Sequence, residues 1–321
     1  MDHKYSIGIG LNLFDARAIL LRDDGKQITQ IEKERKDITA NETIKVLLEL
    51  VEDILNSSKK YRERIVGIGL ALGGIIDGKK GIVYWPQRQD SSYVYISIPL
   101  KKYLEEKFKL PVLLENDANA CVWAEHIRNF PKYKNIIYMF SGVGCGILIE
   151  GSLYRGRNGA AGELFVYPHR IMRSLLGDFS FLAHWPLDLE VTKRAKELIA
   201  LGKNTSLIKR ITPTGDLSIK DIFNEAKDRD RLSRDILKEA AFSLGVKISF
   251  LINLINPEAV IIGGGFEEAG DLFLEEIHSV IKKFSFSEMR RNLKITSSKL
   301  GREATSLGVS YLVFEENPLH K

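Results

Sequence analysis

The sequence predicts an α/β protein of two successive lobes. Three observations predict it. Short apolar runs alternate with longer stretches whose apolar residues recur at helical spacing, as in sheets covered by helices. Near the N-terminus the order is strand, strand, strand, helix, strand, which makes an α/β domain with a mixed sheet. The chain has 321 residues, which suits about two domains. The first lobe is expected over residues 1–130 and the second over 131–321, with the last helix able to pack back on the first.

The elements follow in order. Tyr5 to Leu11 and Ala16 to Arg22 read as paired strands, joined on the far side by the Asp23-Asp24-Gly25 turn to a third strand, Gln27 to Arg35. From Thr43 to Leu55 the apolar positions Ile44, Val46, Leu47, Leu50, Val51, Ile54 and Leu55 make one helix face. Ile65 to Leu70 is a strand ending at Gly73-Gly74. Pro99-Leu100 opens a helix to Phe108, Val112 to Leu114 is a short strand, and Asn116 to Arg128 is the next helix. That order places Glu115-Asn116-Asp117 where a strand delivers polar groups to a helix N-terminus. Ile136 to Phe140 reads as a buried strand and Ile147 to Glu150 as its return, with a tight turn at Gly151-Ser152. Beyond lie helices at Leu187 to Leu201, Ile219 to Ala226 and Ser233 to Asn253, the last stopped by Pro257. Ala259 to Ile262 is a strand running into Gly263-Gly264-Gly265. A helix from Leu272 to Lys283, a strand from Leu293 to Ser297 and a helix from Glu303 to Val313 complete the chain.

Glycines concentrate between Ile136 and Val166: Gly142, Gly144 and Gly146, then Gly156, Gly159 and Gly162 ahead of Glu163. Glycine permits positive φ and close approach of a ligand to the backbone. Strands joined by Gly-rich turns need no ligand, however, so a cleft and a plain loop region both remain open.

Composition excludes several classes. The net charge of +5 is mildly basic, and no basic cluster is interleaved with aromatics as single-strand nucleic-acid binding favours. The two cysteines, Cys121 and Cys145, have neither CxxC partners nor metal-ligand spacing. A cytoplasmic protein with reduced, packed thiols is expected. The N-terminal apolar segment is too short for a signal peptide, and no stretch approaches a membrane span of about 18 apolar residues.

Three segments carry a resemblance. LPVLLENDANACVWAEH (110–126), GVGCGILIEGSLYRGRNGAAGE (142–163) and INLINPEAVIIGGG (252–265) stand in the order seen in the ROK family of sugar kinases and sugar-responsive repressors. The chain resembles that family over essentially its whole length. The resemblance implies two actin-like (ribonuclease H-like) lobes around a central cleft where sugar and nucleotide meet. It implies sugar contacts from Asn116, Asp117 and Glu163, with Asp117 matching the carboxylate that deprotonates the sugar hydroxyl. It also implies nucleotide contacts from Gly142, Gly144, Gly263, Gly264 and Gly265, and a homodimer. On the residues alone, Asn116 or Asp117 acting only as a helix cap stays open.

The departures from the family pattern cluster at the phosphates. The DxGGT-like loop is Gly10-Leu11-Asn12-Leu13-Phe14, with Gly10 in place of the Asp, and bulky Leu13 and Phe14 in place of a glycine and a hydroxyl. Asp15 is not expected to substitute. The GTG loop is Gly142-Val143-Gly144, without its hydroxyl. Phosphoryl transfer needs positive charge, backbone donors and usually a metal around the phosphates, so this provision is reduced. On the sugar side, Val166 replaces a His, Ala183 stands for a Glu, and His169 reads as a turn residue. The CxCGxxGC zinc module is absent from residues 167–185. His169 and His184 are too few for a structural zinc, and Phe179, Phe181, Leu182 and Trp185 are expected to pack that region instead. Gly73-Gly74 replaces Pro-Gly and Pro86-Gln87 replaces Pro-Asn. Trp85 is placed either to stack on a sugar or to pack in the core, and Arg88 and Gln89 to line the cleft mouth. The chain starts a few residues before the first strand, so no winged helix fits there and direct DNA contact by this chain is not expected.

The leading expectation is therefore a sugar-binding, ROK-like regulatory or effector-sensing protein with degenerate phosphate loops and no zinc. The alternative is an ATP-dependent sugar kinase using Mg, with Asp117 as general base. A scaffold that binds neither ligand is the third reading.

Overall fold

The computed structural model describes residues 3–12, 15–34, 40–89, 92–141, 144–164 and 187–316. The chain forms two compact units. The first comprises Met1–Tyr138, Gly146–Gly162 and Lys299–Lys321, and the second Met139–Cys145 and Glu163–Ser298.

In the first unit, β1 (Tyr5–Leu11), β2 (Asp15–Arg22) and β3 (Gln27–Glu34) form an antiparallel meander. β1 also pairs in parallel with β4 (Ile65–Leu72), and β4 with β8 (Val112–Asn116), giving the mixed order β3-β2-β1-β4-β8. β1 is buried at every position, which accounts for its uncharged run rather than an alternating one. α1 (Ala40–Ser57) buries Leu47, Leu50, Val51, Ile54 and Leu55 and lies on β2 and β3. Lys33 of β3 ties this helix down through Glu49 at 2.8 Å and Asp53 at 2.9 Å.

A second, three-stranded antiparallel sheet runs β5 (Ile75–Asp77), β6 (Ile82–Gln89), β7 (Ser92–Ile98). The sequence reading assigns no element there. β6 carries Pro86, which argues against a central strand, and β5 is too short to show periodicity. Trp85 leans on the core of this unit. α2 (Leu100–Phe108) and α3 (Asp117–Asn129) follow.

The remaining strands are β9 (Ile136–Phe140), β10 (Gly144–Ile149), β11 (Ser152–Leu153), β12 (Ala259–Gly263) and β13 (Lys294–Ser297), in the order β11-β10-β9-β12-β13. The β10–β11 turn is one residue earlier than the sequence suggests. Ile149 pairs with Ser152, leaving Glu150 and Gly151 as a two-residue loop with φ of 51° and 78°. Two successive positive φ values suit the twist of a tight hairpin.

The second unit's helices are α4 (Leu187–Ala200), α5 (Ile219–Lys227), α6 (Arg231–Ile255) and α7 (Asp271–Phe284). α5 opens with a reciprocal Ser218–Asp221 capping box, and α6 with Asp230 accepting from Ser233 N. α6 ends on left-handed Asn256, one residue before Pro257.

The last helix, α8 (Ala304–Glu316), belongs to the first unit and packs on β1, β4 and α3. The approach is backbone to backbone. A methyl group at Gly308 would lie 1.8 Å from Ala120 O, and one at Gly8 would lie 2.1 Å from Ser306 O. Among the described residues no helix is long and apolar enough to cross a membrane.

Candidate functional site

In the first unit the buried strand β8 ends on Asn116 and α3 begins at Asp117. Asn116 has extended backbone angles and its Oδ1 accepts from Ala118 N at 2.9 Å and Asn119 N at 3.3 Å. It is therefore the N-cap of α3, satisfying amides that the helix leaves unpaired. Its Nδ2 donates to Gly74 O at 3.3 Å. Asp117 Oδ1 accepts from Ala118 N at 2.7 Å, and Gly73 lies beside its Oδ2, close enough that an added methyl would sit 3.4 Å away. The carboxylate thus sits in the first turn, where the helix dipole favours negative charge.

Behind this pair lies a network that motif reading does not single out. Glu115 is buried, and its Oε1 accepts from Asn116 N at 2.8 Å and Asn119 Nδ2 at 3.0 Å. Its Oε2 takes Arg155 Nε at 2.6 Å, and Arg155 Nη2 reaches Glu316 at 2.7 Å. Burial works against the Arg155 charge, but Glu115 and then Glu316 outweigh it and hold the guanidinium above its usual range. A buried carboxylate needs such a partner. The available signal was an acid at the end of a buried strand, which implies a cation somewhere without saying where.

The N-terminal loop shows why Gly10 is glycine. A methyl there would lie 2.4 Å from Thr305 Oγ1, 2.5 Å from Thr305 Cβ and 2.8 Å from Ser306 N, all on α8. Asp15 is engaged nearby. Its Oδ1 accepts from Asn12 Nδ2 at 2.7 Å, and its N donates to Asn12 Oδ1 at 2.9 Å. Its Oδ2 takes Arg302 Nη1 at 3.4 Å and lies 3.6 Å from Arg17 Nη2. Arg17, itself buried, also pairs with Glu32 at 3.0 Å. Leu13 and Phe14 lie outside the described residues. Lys80 is held on the β5–β6 turn by Asp77 at 3.4 Å.

In the second unit two glycine loops meet. Ser141, with φ of 46°, follows β9 and donates from Oγ to Gly264 O at 2.8 Å and from N to Gly263 O at 3.4 Å. Gly264, at φ of 69°, leaves no space beside Ser141, because a methyl would sit 2.8 Å from Ser141 N. Gly265 N donates to Glu267 Oε2 at 2.8 Å. Gly144 forms an antiparallel bridge with Glu163. Burial, then the Glu163 carboxylate, push the Cys145 thiol up to about 12. A cavity of about 370 Å³ in the second unit is lined by Lys227, Arg229, Arg234 and Asp271 with Ala226 and the Ala269–Leu272 segment.

The structure thus joins Asn116 to Asp117 in one unit, and Gly144 to Glu163 in the other, where Ser141 meets Gly263 and Gly264. Gly142, Val143, Val166, His169, Ala183, His184 and the whole segment of the missing zinc module, with Phe179, Phe181, Leu182 and Trp185, lie outside the described residues. The side chains of Arg88 and Gln89 do so too. Among the described residues no group of three or more His, Cys, Asp or Glu is arranged to hold a metal.

The ROK family matches the chain over residues 5–171 and 197–316. Similar curated proteins include a xylose repressor of Caldicellulosiruptor bescii, 30% identical over 283 residues, covering 85% of this chain and 68% of the relative. A glucokinase of Halalkalibacterium halodurans is 30% identical over 274 residues, covering 83% of this chain and 82% of the relative. Among solved structures, a ROK family transcriptional regulator homologous to E. coli MLC protein superposes with a TM-score of 0.74 at 22% identity, over 97% of this chain and 78% of that one. A ROK family glucokinase from Streptomyces griseus, in complex with glucose and AMPPNP, gives 0.73 at 24% identity, over 96% and 98%. These likenesses establish two sheet-containing lobes of the actin-like type.

Proposed function

The chain belongs to the ROK family, and from that premise we propose that it is a sugar-binding body with a regulatory or effector-sensing role rather than an efficient kinase. One observation carries this reading: the N-terminal loop has no carboxylate available for a metal and no space for one at Gly10. Thr305 closes that position, and Asp15 is committed to Asn12, Arg302 and Arg17. These residues do not fit a Mg–nucleotide phosphate group, so no phosphoryl-transfer step is derived through it.

The sugar side is better provided. Asp117 offers a carboxylate to a hydroxyl, and Glu163 is proposed as a further contact. Asn116 spends its oxygen on the helix cap, so its contribution to a sugar is the second Nδ2 hydrogen, as a donor. Glu115 and Arg155 hold that cap in place from behind.

A second reading, the ATP-dependent sugar kinase, is favoured by the comparisons themselves. The glucokinase relative and several of the similar solved structures are named as kinases. The cavity of the second unit lined by Lys227, Arg229 and Arg234 would also suit a polyanion. In that reading Asp117 accepts the proton of the sugar hydroxyl.

Calorimetry against a panel of monosaccharides and against ATP–Mg tests the proposal. A sugar should bind and ATP–Mg should give no heat. Asp117→Ala should weaken the sugar about tenfold or more, because a buried hydroxyl left unpaired costs about 1–3 kcal/mol. Unchanged affinity would remove Asp117 from the site. A coupled ADP-release assay showing turnover above about 1 s⁻¹, within the ordinary enzyme range, and abolished by Asp117→Asn, would establish the kinase instead.

A further inference from the structure

We propose that the cavity of the second unit, lined by the α5–α6 connection and the start of α7, binds a small organic phosphate, at a site that includes neither Asp117 nor Glu163. It depends on neither reading of the sugar side. At about 370 Å³ the cavity is of a size that takes a small ligand. Lys227 lines it from the end of α5, Arg229 from the connection, Arg234 from the first turn of α6, and Asp271 from the start of α7. Three cations therefore stand against one acid.

The cations are fixed in place and left without partners. Arg229 has φ of 70°, in the left-handed region where a residue with a side chain is uncommon and glycine is the usual occupant past a helix end. Its N donates to Ala226 O at 3.2 Å, and Asp230 N donates to Glu225 O at 2.8 Å, so the end of α5 itself holds that conformation. Backbone strain of this kind concentrates at ligand sites. Among the described residues no ion pair or side-chain hydrogen bond engages Lys227, Arg229 or Arg234. Asp271 pairs with none of them, and the Asp230 carboxylate is committed to Ser233 N, Ser206 N and the Thr205 hydroxyl. Arg17, Arg155 and Arg210, by contrast, all find carboxylates within 3.0 Å.

Charge and volume identify the ligand. Gly270 precedes α7 with φ of 85°, and no side chain caps that helix. Among the described residues nothing accepts from the amides of Asp271 and Leu272, so both are left for an acceptor at the positive end of the helix dipole. An added methyl at Gly270 would lie 3.7 Å from Lys227 Cε, which sets the lysine stem beside that helix start. A phosphate offers several strongly charged oxygens, which suits two guanidinium forks, an ammonium and backbone amides together. A carboxylate, with two oxygens and one charge, would leave cations unmatched. Inorganic phosphate fills only part of the volume, and Ala226, Ala269 and Leu272 give the remainder an apolar wall. These features call for a phosphate monoester with a compact body. The Asp271 carboxylate opposes the same ligand and holds its affinity below what the cations alone would give.

Calorimetry on the full chain with inorganic phosphate, glycerol phosphate and AMP, each without metal, tests this. A monoester should bind with a Kd at or below about 1 mM, and more tightly than inorganic phosphate. Arg229→Gly should weaken it roughly tenfold or more by removing a charge-assisted contact, yet raise the urea midpoint, because glycine relieves the left-handed backbone. Arg234→Gln should weaken it by a similar factor, and Asp271→Asn should tighten it by removing the opposing charge. Lys132→Gln, at an exposed position of the first unit, should leave it unchanged. Circular dichroism establishes that each variant is folded. Tighter binding of glycerol phosphate than of AMP assigns a polyol-like body and the reverse a nucleoside, and either supports the proposal. No heat from any of the three at about 10 mM, well past a millimolar Kd, or an affinity unmoved in folded Arg229→Gly and Arg234→Gln, would overturn it. So would binding confined to ATP–Mg and abolished by those two variants, which would give the cavity to a phosphoryl donor instead.

Discussion

Gly10→Asp restores the carboxylate that kinase relatives are expected to carry, and the structure says the chain will not accept it. The new Cβ would meet Thr305 Oγ1 at 2.4 Å, Thr305 Cβ at 2.5 Å and Ser306 N at 2.8 Å. Two of these atoms are a β-branched Cβ and a backbone nitrogen on a helix that also packs against α3, so neither can swing aside. Gly10→Ala isolates the steric part, which for overpacking in a close-packed core is about 1–3 kcal/mol. Gly10→Asp adds the burial of a carboxylate, a further cost of at least about 1–3 kcal/mol if it lacks a full set of partners. Urea unfolding followed by circular dichroism should order stability as wild type, Ala, Asp. Thr305→Ala in the Gly10→Ala background should recover only part of the loss, since Thr305 Oγ1 leaves but its Cβ remains. If Gly10→Ala proves within about 0.5 kcal/mol of wild type, the size of an ordinary surface change, the close approach of α8 is not real. A Gly10→Asp variant that folds normally and binds ATP–Mg would refute the argument at the phosphate loop directly.

Three further outcomes are expected. Asn116→Ala should cost about 1 kcal/mol in urea unfolding through loss of the α3 cap, while Asn116→Asp, which keeps an acceptor, should recover most of it. Ser206 and then Arg210 hold the Glu225 carboxyl below its usual 4.5. Its contribution to stability is therefore complete above that value and is lost as pH falls through the lower folded-state pKa. Thermal melts from pH 7 down to about 3 should show Glu225→Gln less stable than wild type near neutrality, with the gap closing in acid. With Cys121 and Cys145 both buried and the Cys145 thiol pushed up to about 12, a thiol reagent at pH 8 should label neither in the native protein and both once it is unfolded.

Most helices and strands were legible because their signals are local. The run IIYMF is apolar and bounded by polar turns, and β9 spans it, Ile136–Phe140. The helical spacing through Leu47, Leu50, Val51 and Ile54 reports a buried face whatever it packs on. Asn116 before an apolar helix could be read as a cap, a ligand group or both, and the cap half of that choice is visible in its hydrogen bonds. The β5–β7 sheet was not legible, because Pro86 and a polar stretch interrupt the alternation that marks a strand.

The sequence by itself determined the order of the elements, the family motifs around Asp117 and Glu163, and the absence of a carboxylate at Gly10. Tertiary structure alone decided why that absence cannot be repaired nearby. Thr305 and Ser306 fill the space beside Gly10, and Arg302 takes up Asp15, from positions nearly three hundred residues away in the chain. Glu115 likewise meets Arg155 forty residues on. Periodicity records whether a residue is buried, because burial sets its polarity. It does not record which distant segment does the burying, because that depends on how the return of α8 closes the sheet.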